Sequence, residues 1–176
     1  FIALIAYYLA SPLNWFILLF PKGLVIEYVS YLVLLKIALT GATASLYFRY
    51  HFQKNSPYFI IFALFYALSG YIAAYSWNVM WLDCVLLFPL ILLGLERMMD
   101  RGEVGLYTVS LALSILSNYY ISIMICLFLV VYFLFQFFFI LRERRQGIFL
   151  LLFRFGLYSL LAGAMAAVFL LPAYFA

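Results

Sequence analysis

Charge is what this sequence has least of. Of its 176 residues 9% are charged, 70% hydrophobic and 22% aromatic, whereas a soluble domain is about 25% charged and about 45–50% apolar. Ten basic and six acidic side chains cannot cover a water-soluble globule around such a core. The polar, charge-rich composition of disorder is equally missing. Histidine occurs once, and the two cysteines, Cys84 and Cys126, sit in apolar runs without metal-like spacing. A disulfide framework and a zinc site are therefore excluded as expectations. No Gly-rich phosphate loop, nucleophile elbow or CxxC pair occurs. Soluble-type acid–base chemistry has little to work with, and neither a cofactor nor a metal is expected. No basic segment precedes a short apolar core, so no cleavable signal peptide is indicated. The first residue is Phe1, the apolar text begins at once, and no tail follows Pro172. The chain reads as a piece of a longer protein.

What is present is long apolar runs. A β-barrel would show alternating segments of about ten residues, and these runs are continuous. At roughly 20 residues per helical crossing plus a connection, the length allows about six or seven crossings. Residues 1–20 are broken by Ser11, Pro12 and Asn14, so they are either an interrupted crossing or interfacial helices. Val25–Tyr50 reads as a long span, and Pro57 opens another that runs to about Ser76. Cys84–Leu95 and Val104–Ser117 read as two short helices, Ile121–Leu141 as a full span, and Phe155–Leu171 as the last. The expected fold is one all-α domain over 1–176, a polytopic transmembrane bundle of about six spans with a short helical hairpin. In the last span Gly163 and Ala167, with their alanine neighbours, suggest close packing.

The basic residues give an orientation. Arg49, Lys54, Arg97, Arg101, Arg142, Arg144, Arg145 and Arg154 fall in alternate loops, against Lys22 alone on the other side. Lys36 lies within a span. Cytoplasmic loops carry the excess of Lys and Arg, so the basic side is expected to be cytoplasmic. Trp15, Trp77 and Trp81 all fall on the opposite side, as an interfacial belt would. The net charge of +4 is thus read as topology; nucleic acid is not an expected partner, whereas the lipid bilayer is. His51, between Arg49 and Lys54, reads as solvated. The run Arg142–Arg145 reads as a stop signal that meets anionic lipid.

A few polar residues interrupt the apolar text. Lys36 precedes Arg49 by 13 residues and Asp83 precedes Glu96 by 13, which places each roughly 20 Å above the basic boundary. Asn118 follows Glu103 by 15 residues, or roughly 22 Å. Three polar groups from three helices thus reach one depth in a core about 30 Å thick. The short helices fit a hairpin, Asp83 to Asn118, that stops below the outer surface and floors a cavity. Trp77–Leu82 and Asn118–Tyr120 would line its wall. Lys36 and Asp83 are either a structural ion pair or ligand contacts, since an intramembrane ionisable residue is a functional candidate by default. Asn118 reads equally as a hydrogen bond between helices. Asn78, Trp81 and Tyr119 complete the candidate substrate-binding set, although the aromatics also suit interface anchoring.

The run Tyr66-Ala67-Leu68-Ser69-Gly70-Tyr71, then Ala74-Tyr75-Ser76-Trp77-Asn78-Val79-Met80-Trp81-Leu82-Asp83, resembles the bacterial YfhO-type membrane protein family. Pro89-Leu90, Leu93-Gly94-Leu95-Glu96-Arg97, Leu116-Ser117-Asn118-Tyr119-Tyr120-Ile121 and Met124-Ile125-Cys126 also fit. So do Tyr7-Tyr8-Leu9-Ala10-Ser11-Pro12 and Leu35-Lys36-Ile37, so the likeness covers essentially the whole chain. Members of that family are several-fold longer and are similar to polytopic glycosyltransferases of the GT-C class. The resemblance implies a bacterial cell-membrane protein, a polyprenyl-phosphate sugar donor used on the outer face, and an envelope polymer such as lipoteichoic acid as acceptor. In that class the catalytic acid ordinarily lies in the first outer loop. Positions 1–26 hold no Asp or Glu, so the resemblance implies that this acid lies outside these residues. Asp83, two spans further on, does not match its position.

Two readings from different classes follow. In the first, a membrane glycosyltransferase, Lys36 offers a cation to the donor phosphate while Asp83 or Asn118 orients it. In the second, a transporter or flippase, the polar layer is a substrate site near the midplane. Against the second, no internal repeat is visible and acids are few. A purely structural scaffold leaves the shared depth unexplained.

Overall fold

The computed structural model describes residues 11–139 and 147–175. Tyr7 to Ala10 and the run Arg142–Arg145 lie outside the described residues. Two short 3-10 helices, Pro12–Leu19 and Lys22–Leu24, lead into α1 (Val25–His51). Then come α2 (Tyr58–Ala67), α3 (Gly70–Tyr75), α4 (Val79–Arg101), α5 (Gly105–Ser117), α6 (Tyr119–Phe139) and α7 (Ile148–Phe175). Among the described residues five helical stretches are long and apolar enough to cross a membrane: α1, the α2–α3 pair, α4, α6 and α7. The protein is a polytopic helical bundle.

The centre of the bundle is α4. Two thirds of its apolar window is buried, while no other candidate span exceeds 28%. It packs against α1 on one side and α5 on the other, and α5 in turn packs on α7. Here the sequence expectation of a short helix over Cys84–Leu95 is corrected. The helix has 23 residues, about 34 Å and enough to cross. Asp83 does not break it because its charge is paired, and Glu96 to Arg101 extend it by more than a turn.

The proline inside α4 accounts for two interhelical bonds. Pro89 has no N–H and its ring crowds the preceding turn, leaving the carbonyls of Val85 and Leu86 short of helical donors. The Tyr66 hydroxyl donates to Val85 O at 2.9 Å, and Thr43 Oγ1 donates to Leu86 O at 2.9 Å. One side chain comes from α2 and the other from α1, so the proline stitches three helices together. On the opposite face Gly94 lets α5 approach: a β-carbon there would run into the backbone of Tyr107. The small residues that pack α7 are Ala162 and Ala166, both buried. Of the small residues expected to pack this helix, these two do so, whereas Gly163 has open space where a β-carbon would stand. The reason is rotational, since one residue turns the helix by about 100°.

Among the described residues α5 is an apolar helix that stops short of a full span. Its 13 residues rise about 20 Å before Asn118 adopts an extended backbone and the chain re-enters helix as α6. Asn118 Oδ1 accepts the Ile121 N–H at 3.0 Å, while the Asn118 N–H donates to Ser114 O at 3.0 Å. One residue therefore ends α5 and caps α6, the side-chain acceptor replacing a missing helical carbonyl. Ser114 and Ser122 close the reversal through their hydroxyls, 2.8 Å apart.

Candidate functional site

The buried face of α1 carries polar residues at helical spacing. Lys36, Thr40, Thr43 and Tyr47 follow one another at four, three and four positions, so they share one face. That face meets α4. In lipid this inversion is natural, since apolar side chains gain nothing by turning inward and polar ones must find partners.

At the end away from the basic residues, Lys36 is fully buried and Asp83 is 4% exposed. Lys36 Nζ donates to Asp83 Oδ2 at 2.8 Å, to Val79 O at 3.0 Å and to Asn14 Oδ1 at 2.9 Å. An ammonium has three N–H groups, and each has an acceptor. Two acceptors belong to the first turns of α4. The third comes from the Pro12–Leu19 helix, which is also fastened to α1 by Tyr28: its hydroxyl donates to Leu13 O at 2.9 Å. The Phe20 and Tyr28 rings meet at 4.9 Å. Ser11, also buried, lies beside the Asp83 carboxylate.

Asn118 reaches a similar level but not the same group. Its carbonyl and that of Ser114 face Cys84 Sγ, at 3.7 and 3.6 Å. Cys84 lies one residue beyond Asp83, about 100° further around α4, so Asn118 belongs to the α4–α5–α6 contact. The Asn118 and Asn78 side chains are buried, and the amide nitrogen of each has no partner among the described residues. Trp81 is half-buried with its ring 5.7 Å from that of Tyr75, while Tyr119 is exposed. Beside Cys84 a cavity of about 280 Å³ is lined by Tyr66, Tyr71, Val85, Phe88, Met124 and Phe128 among others. It is an apolar recess between α2, α3, α4 and α6. The expected cavity walled by Trp77–Leu82 is not among the recesses described: Asn78, Met80 and Leu82 are buried against the bundle as α4 begins, while Trp77 stays exposed.

The sequence reading missed a second polar cluster. Glu96, taken as the polar end of a short helix, is 8% exposed. Its Oε1 accepts from the Tyr47 hydroxyl at 3.2 Å and from the Tyr132 hydroxyl, and faces His51 Nδ1 at 2.7 Å. Gln136 Nε2 donates to the Tyr132 oxygen at 2.8 Å. His51 was expected to be solvated. It is partly exposed but closes the α1–α4–α6 junction. One signal was available: Gln136 is the one side-chain amide in α6, four residues from Tyr132 and therefore on the same face.

The cysteines are both free, and no group of three or more His, Cys, Asp or Glu could hold a metal among the described residues. The family described as bacterial membrane protein YfhO matches residues 1–176, the whole chain. The chain belongs to the YfhO family. No curated protein and no solved structure matches it. For a YfhO chain the membrane is thus the setting of both clusters, and the helical bundle is what presents them.

Proposed function

We propose that the full protein is a membrane glycosyltransferase of the GT-C kind, taking sugar from a polyprenyl-phosphate donor for an envelope polymer such as lipoteichoic acid. In this reading the residues at hand position the donor, and the catalytic acid is supplied elsewhere. The observation that carries the reading is the ligation of Lys36. Two of its acceptors, Asp83 and Val79 O, are fixed on α4. The third, the Asn14 amide oxygen, is neutral and comes from outside α4. A phosphate oxygen in place of Asn14 would turn a neutral acceptor into a charged one, and such bonds are roughly twice as strong. Asp83 then holds the ammonium in place, while Asn78, Trp81 and Tyr119 offer an amide donor and aromatic faces to the donor. The basic end faces the cytoplasm in this proposal, which puts Lys36 in the outer half of the membrane. Single cysteines at Lys54 and Gly102 should then resist an impermeant thiol reagent in intact cells, and one at Trp77 should react. Labelling of the first two from outside would reverse the orientation.

The activity test uses full-length, monodisperse protein. Lys36→Gln together with Asp83→Asn keeps a hydrogen-bonded neutral pair, and it should fold yet lose sugar transfer by tenfold to several-hundredfold, at about 1.4 kcal/mol per decade. Asn14→Ala should leave kcat intact and lower the KM for the donor. Wild-type transfer by the folded double variant would end the donor-phosphate role and leave Lys36 as architecture.

A further inference from the structure

At the basic end, where α1 stops and α4 meets Gly102, lies a cavity of about 510 Å³ lined by Arg49, Tyr50, Gln53, Asp100 and Arg101. Its size falls within the range of about 300–1,000 Å³ usual for ligand sites. Its polar lining contrasts with the apolar recess beside Cys84. We propose that this cavity binds a phosphate group, presented either by an anionic phospholipid or by a soluble phosphate compound. The site stands at the opposite end of the seam from Lys36, so its fate is independent of the glycosyltransferase reading.

The first argument is charge. Two guanidiniums and one carboxylate line the cavity, and the carboxylate is in direct ion-pair contact with neither cation. Asp100 Oδ2 instead accepts the Tyr50 hydroxyl at 3.2 Å, and no arginine lies within ion-pair distance of it among the described residues. The nearest carboxylate to Arg101 is Glu103 at 4.0 Å, with both side chains more than half exposed, a pairing worth little. Arg49 has no acidic partner among the described residues. Arg97, itself 3.8 Å from Glu103, and Arg101 both stand over the Tyr50 ring, 5.4 and 5.5 Å from its centre.

The second argument is geometry. An anion between the guanidiniums would add charge-assisted bonds to the cation–π contacts already made. Guanidinium is planar and presents paired N–H groups that match phosphate oxygens. Gln53, at φ 50°, ends α1 in the left-handed region and contributes an amide to the rim. Arg49 and Arg101 arrive from different helices, so an anion between them would clip the ends of α1 and α4 together. The cavity also lies at the ends of the spans, at the level of lipid headgroups.

The test uses the purified full-length protein with phosphatidylglycerol, phosphatidylcholine and inorganic phosphate as probes. Native mass spectrometry would compare retention of the two lipids, and thermal unfolding would be followed with and without phosphate. For a lipid source, wild type should favour phosphatidylglycerol by roughly thirtyfold, as expected for two basic contacts. The Arg49→Gln, Arg101→Gln double variant should lose that preference, while Lys54→Gln in the neighbouring loop keeps it. For a soluble source, phosphate should raise the melting temperature of wild type but not of the double variant. Wild type showing neither effect would overturn the site without any variant. Equal preference in wild type and the double variant would overturn it as well.

Discussion

At one end of the α1–α4 seam a full positive charge, Lys36, meets a full negative charge, Asp83. At the other, the Glu96 carboxylate is met by two phenols and an imidazole. Both arrangements satisfy polar groups that lipid would leave stranded, yet they differ in what happens when a partner is lost. A buried ion pair is held by strong attraction across a medium of low dielectric, and each member alone would be an uncompensated charge. Glu96 draws on several neutral donors, and His51 lies partly open, so loss of any one leaves others in place. The first end is a rigid lock, and the second is a shared junction that tolerates change.

The largest expected effect would come from breaking the lock. Either Lys36→Met or Asp83→Leu should cost about 3–5 kcal/mol, and the double variant should cost less than either. Thermal unfolding and membrane-inserted yield of all three would be compared. Costs that simply add would mean that the two groups do not stabilise one another, and the contrast between the ends would collapse.

Smaller effects are expected at Glu96. Tyr132→Phe removes one hydroxyl donor and should cost about 0.5–1.5 kcal/mol. Tyr47→Phe should cost more when made on top of it than alone, since the two phenols share one acceptor, Glu96 Oε1, and each covers for the loss of the other. Strict additivity, read from the same unfolding transitions, would argue against a shared junction. The smallest change belongs to His51→Ala. Its side chain is about a third exposed, so the loss should stay within about 1 kcal/mol. A loss as large as that of Asp83→Leu would show that Glu96 depends on a single counter-ion after all.

Much of the architecture was legible without coordinates. Composition dictates a membrane bundle, because sixteen charges cannot solvate such a chain in water. Counting residues from the basic boundary placed Lys36 and Asp83 at one depth, since a helix converts sequence separation into height with little error. Helix ends were harder to read. Glu96, Arg97 and Asp100 look like a terminus along the chain, yet α4 continues through them to Arg101. Charged residues near an interface can stay helical once phenols and an imidazole surround them.

By itself the sequence determined height, hydrophobic thickness and the basic asymmetry, all of which are read along one axis. The tertiary structure alone decided lateral partnership. Asn118 shares a depth with Asp83 but faces Cys84, because one residue of helical rotation sends it to another interface. Glu96 and His51 became a pair only once α1, α4 and α6 lay side by side. Lipid is the physical reason: it is as apolar as the helix faces it touches, so hydrophobic periodicity carries little information about which face turns inward. That choice falls to the polar stripe from Lys36 to Tyr47, to the proline-freed carbonyls of Val85 and Leu86, and to Gly94. Their partners lie tens of residues away, and only packing brings them together.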